Sequence, residues 1–152
     1  MNLLVPTKTT TPPTALSRAL WAAGAVFLIA FGLFEMLKHQ GSAIWLGILG
    51  ALGPDVPVLI AMPMQQGKGV LTRLKQVGER LPRGLVVFYN LSHHWVFPVI
   101  AIVYFSVSAS TQDEAAPGFT LGLMWLAHIC VDRSFGLGPR TADGRQRHHS
   151  DS

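Results

Sequence analysis

Residues 125–133 read WLAHICVDR, the closing part of an apolar run that begins near Phe119. The surrounding residues suit lipid, yet His128 and Asp132 stand one helical turn apart within them. An ionised side chain at mid-bilayer costs roughly 2.5–3.5 kcal/mol on insertion scales, so such residues face partners or a wet cavity. Residues at i and i+4 share one helix face. The stretch therefore reads as a transmembrane helix with a polar face that other helices must answer.

The rest of the chain repeats the pattern. Its 152 residues suffice for one domain; 49% are hydrophobic and 13% charged, about half the charged share usual in a soluble domain. Four apolar runs, about 19–37, 43–64, 84–108 and 117–138, lie near the ~20 residues a helix needs to cross a bilayer. The expected fold is all-α, a four-helix transmembrane bundle over residues 16–139. Residues 1–15 are Thr/Pro-rich and read as a disordered tail. Residues 140–152 form a second polar tail, too short to fold alone. No A-x-A-like cleavage site follows the first run, so it reads as a span rather than a signal peptide.

Charge gives an orientation. Four crossings put the N-terminus, the 65–83 loop and the C-terminus on one side, with eleven of the twelve Lys and Arg residues; Lys38 alone lies opposite. The positive-inside rule then predicts that both termini are cytoplasmic. The basic loop has an amphipathic pattern, with Val70, Leu74, Val77 and Leu81 at helical spacing. It fits either a helix on anionic membrane lipid or a solvated connector. Nucleic acid is an unsuitable partner, because no folded soluble face carries the basic residues. The single cysteine, Cys130, allows no internal disulfide and reads as a small apolar filler.

Polar residues recur within the runs: Asp55, Asn90, His93, His94, His128, Asp132 and Arg133. At ~1.5 Å per residue, Asp55, Asn90, His93, His128 and Asp132 fall roughly 9–15 Å above the cytoplasmic edge. Three helices thus place polar groups in one layer. Pro54 and its glycine neighbour should loosen the second helix beside Asp55, and Pro98 should kink the third. Two imidazoles and two carboxylates could hold a divalent metal such as zinc. The metal set is Asp55, His93, His128 and Asp132, with Asn90 in support; Asp55 and Asp132 are the candidate catalytic residues. Metal-assisted hydrolysis of a lipid-type substrate would suit this depth. Two other readings use the same residues. The layer could only fix helix packing, or it could be part of a proton or cation path. A path needs polar groups in the outer halves, where there are few beyond Ser106 and Ser108, and this counts against it. Arg133 points away from Asp132 and reads as a snorkelling residue.

The blocks Pro54-Asp55, YNLSH at 89–93, Pro98, WLAHICVDR at 125–133 and GLG at 136–138 resemble a small bacterial integral-membrane family known as domain of unknown function 4260. The resemblance implies residence in the bacterial inner membrane but no known activity. It carries the family's polar positions onto Asp55, Asn90, His93, His128, Asp132 and Arg133, and so favours His93 over His94. A late histidine of the family falls on His148 or His149. The family glutamate near the start of the first helix has no counterpart here, where Leu20 to Ala23 are apolar.

Overall fold

The computed structural model describes residues 14–65 and 69–146. Seven α-helices follow one another: α1 (Ala15–His39), α2 (Ser42–Leu52), α3 (Val56–Ala61), α4 (Val70–Glu79), α5 (Arg83–Ser92), α6 (Val96–Ser108) and α7 (Gln112–Ser134). Three helical stretches, Ala15–His39, Ser42–Met64 and Gln112–Ser134, are long and apolar enough to cross a membrane. The pair α5 and α6 makes a fourth if its 43° bend lies within one span. The fold is therefore all-helical with three or four candidate spans. Exposed Leu20, Phe27, Phe34, Trp45 and Val107 give these helices an apolar outer surface, as lipid contact requires.

Helix α7 is the hub, with α1, α2 and α6 packed around it. Small residues permit the approach. A Cβ on Gly50 of α2 would lie 2.3 Å from the carbonyl oxygen of Leu121, so the α2 and α7 backbones meet where only glycine fits. Close packing through small residues drives helix association where lipid removes the hydrophobic term. α7 begins at Gln112, five residues before the expected start, because Thr111 caps it by accepting from Glu114 N at 3.2 Å. It ends at a Schellman turn: Gly136 N donates to Arg133 O at 3.0 Å and Leu137 N to Asp132 O at 2.9 Å. That turn needs the left-handed conformation of Gly136, with φ of 79°.

The second and third apolar runs are not continuous helices. The second is broken by a 3-10 turn over Gly53–Asp55, where Pro54 supplies no N–H. The third breaks between Ser92 and Val96, three residues before the expected kink at Pro98. Pro98 sits in the first turn of α6, where helical N–H groups lack intrahelical partners anyway. The proline thus sets a helix start, and the break moves upstream to His93.

Residues 139–146, set apart by sequence as a polar tail, return to the helices. Arg140 and Gln146 are buried, and Leu81 N donates to Gly144 O at 2.8 Å. The segment closes over Ala61, Val77, Leu81, Val86 and Tyr89, a small core shared by α3, α4 and α5. It is too polar to fold alone, but it need not: its backbone groups are satisfied by the helices it covers. His148 and His149 lie outside the described residues.

Candidate metal centre

Each histidine of the cluster is fixed by its backbone surroundings. His93 sits at the α5 C-terminus, where its Nδ1 lies 2.8 Å from the carbonyl oxygen of Tyr89. Its ring stacks on Tyr89 at a centroid distance of 3.9 Å. His128, on α7, places Nδ1 2.9 Å from the carbonyl oxygen of Ala51 at the end of α2. A carbonyl oxygen can only accept, so both Nδ1 atoms carry hydrogen. In the neutral rings both Nε2 atoms are then bare acceptors.

Those two Nε2 atoms face one another at 3.3 Å. His93 Nε2 lies 3.3 Å from Asp132 Oδ2 and 3.5 Å from Asp55 Oδ1. His128 Nε2 lies 3.7 Å from Asp55 Oδ2 and 3.9 Å from Asp132 Oδ2. Two ring nitrogens and two carboxylates thus converge, an arrangement satisfied by a bound cation or by a proton shared among them. The spacing matches a metal: bonds of ~2.0–2.1 Å in a tetrahedral site imply ligand atoms about 3.3 Å apart. Asp55, His93 and His128 form the compact group, with ligand atoms all within 4.8 Å of one another. Asp132 flanks it, touching both histidines.

The neighbouring elements hold this geometry. The 3-10 turn presents Asp55, and Pro54 O accepts from Ser92 Oγ at 2.9 Å. Trp125 Nε1 donates to Ser92 O at 2.6 Å, fixing α7 against the α5–α6 break. Asp55 is partly open, its side chain 45% exposed against 4% for His93, so the centre has one accessible side. His94 is exposed and outside the cluster. Asn90, expected to support a metal, instead faces Arg140: it donates from Nδ2 to Arg140 O at 3.0 Å and accepts from Arg140 N at 2.7 Å. It docks the C-terminal segment. Arg133 donates to Leu137 O and takes no part in the cluster.

Two features escaped the sequence reading. Arg140 is one: it is 4% exposed, donates through Nη1 to Val77 O, Gly78 O and Gly144 O, and lies 4.8 Å from the Tyr89 ring centroid. Nothing in a run of polar tail residues marks one arginine as buried. The other is a second polar group at the far end of the bundle. His39 lies 3.3 Å from Glu35 and 2.6 Å from Asp113, and Glu35 is buried at 9% exposure. Its signal was the i, i+4 pair Glu35 and His39, hidden because it straddles the end of an apolar run.

The family model described as domain of unknown function (DUF4260) matches residues 81–151. That range contains His93, His128 and Asp132, and the match supports membership of the chain in this family. No curated protein and no solved structure matches the chain.

Proposed function

We propose that this chain is a membrane metalloprotein of the bacterial inner membrane, with both termini cytoplasmic and a divalent-metal centre at Asp55, His93 and His128. The observation that carries the reading is the convergence of two Nε2 atoms, 3.3 Å apart, with Asp55 beside both and with both Nδ1 atoms committed to backbone carbonyls. The orientation is supported by the eleven-to-one distribution of basic residues. Three protein ligands with one open side is the pattern of a catalytic rather than a closed structural site. A divalent ion there supplies Lewis acidity. Asp132, beside both histidines, is placed to take a proton from a water as its oxygen bonds to the ester's electrophilic centre, and to return that proton to the oxygen that leaves with the bonding electrons. The resulting activity is hydrolysis of a lipid-type ester.

The test is cobalt(II) titration of the detergent-purified protein, followed by visible absorption. The expected result is saturation near one equivalent with the intense bands of a tetrahedral site, absent in folded His93→Ala and His128→Ala variants. Featureless absorption in the parent would defeat the reading. A second reading has its own support. His128 to Ala51 O and Ser92 to Pro54 O tie three helices together, so the layer can act as a packing device. In that case the same variants lose stability and change nothing else.

A further inference from the structure

Beside the metal centre lies a cleft of about 350 Å³, open to the side that carries α4 and the C-terminal segment. Asp55 and Asp132 line it, and Lys75, Glu79, Tyr89 and Arg140 are among its other walls. The two cations differ from the other basic residues of this face. Arg80 donates to Asp143 O and Arg145 pairs with Asp143 at 3.2 Å. Lys75 forms no hydrogen bond or ion pair among the described residues. Arg140 is 4% exposed, yet its side chain meets only carbonyl oxygens and a ring face, with no carboxylate in ion-pair contact and with Nε unpartnered. A buried cation with no carboxylate against it is costly unless an anion lies close by.

The charge balance of the cleft identifies that anion. Its lining holds three carboxylates, Asp55, Glu79 and Asp132, against two cations, Lys75 and Arg140. A divalent ion at the histidines turns this excess negative charge into an excess positive one. The cleft then has a Lewis acid on one wall and two ammonium or guanidinium groups on another, the arrangement that recognises a tetrahedral oxyanion through several charge-assisted bonds. We propose that the cleft binds a phosphate monoester, its oxygens divided between the metal side and the Lys75–Arg140 side. This deepens the hydrolase reading and rests on it. The C-terminal segment, docked by Asn90, is thereby part of the substrate site and not only a cover for α4.

Calorimetric titration tests this on the full chain in detergent, with inorganic phosphate as the probe and metal content measured on the same samples. The expected result is phosphate binding by the metal-loaded parent. Lys75→Ala should weaken it roughly tenfold, and Lys75→Glu more, at unchanged metal content. Lys75 is exposed and forms no hydrogen bond or ion pair among the described residues, so these variants should fold. The second arm uses nanodiscs with and without phosphatidic acid. Competition by phosphatidic acid assigns the phosphate to a lipid head group; binding of inorganic phosphate alone assigns it to a soluble ester. A metal-loaded parent without affinity for either probe, or Lys75 variants that bind as the parent does, would overturn the proposal while leaving the metal centre standing. A chain that takes up neither metal nor phosphate would overturn both.

Discussion

At the scale of single residues, the account turns on which nitrogen of each histidine is engaged. Sequence showed that His128 and Asp132 share a face and that Asp55 and His93 lie at similar depth, because helical rise and period are fixed. It could not show that Tyr89 O and Ala51 O take both Nδ1 atoms, since that depends on where two helices break. The proposed centre gives the two aspartates different roles. Asp55 belongs to the compact ligand group and Asp132 stands beside it. Asp55→Asn should therefore weaken metal affinity by at least tenfold, as loss of a charged ligand does. Asp132→Asn should keep the metal and lose turnover by 10²–10⁴-fold, roughly the worth of a general base. Equilibrium dialysis and an ester-hydrolysis assay on both variants check this; a reversed pattern would exchange their roles.

At the scale of elements, the sequence located four apolar runs and the break beside Asp55, but not the break after Ser92. Sequence suggests a kink within a helix at Pro98, whereas Pro98 lies in the first turn of α6, and the site depends on that difference because His93 occupies the gap. α7 ends four residues before the apolar run does, for a related reason: the stop comes from the Schellman turn at Gly136, not from loss of apolar character. Gly136→Ala should cost about 1–2 kcal/mol, the penalty of a left-handed non-glycine residue, read as a lower thermal midpoint in detergent. Gly50→Leu should cost more, since its side chain meets the Leu121 backbone at close range and overpacking alone costs about 1–3 kcal/mol. Equal stability of Gly50→Leu and parent would mean that α2 and α7 are not in contact.

At the scale of the whole molecule, the bundle has polar groups at two levels, not one. The His93–His128 cluster joins three helical stretches that sequence already placed in one layer. The second group, Glu35, His39 and Asp113, ties the end of α1 to the start of α7; its link from His39 to Asp113 is illegible in sequence because those two residues lie 74 apart. The fold of the last segment was equally hidden: backbone pairing such as Leu81 to Gly144 leaves no periodicity to read. Removing residues 139–152 should expose Val77 and Leu81 and loosen α4, seen as faster tryptic cleavage at Arg73 and Lys75. Metal uptake should persist, since no proposed ligand is lost. The most direct test of the central claim is the metal content of the detergent-purified protein beside a His128→Ala/Asp132→Ala double variant of matched helicity. The account predicts about one equivalent of a divalent ion in the parent and none in the variant. No metal in either, with a lower melting temperature in the variant, would contradict it and make WLAHICVDR a packing device.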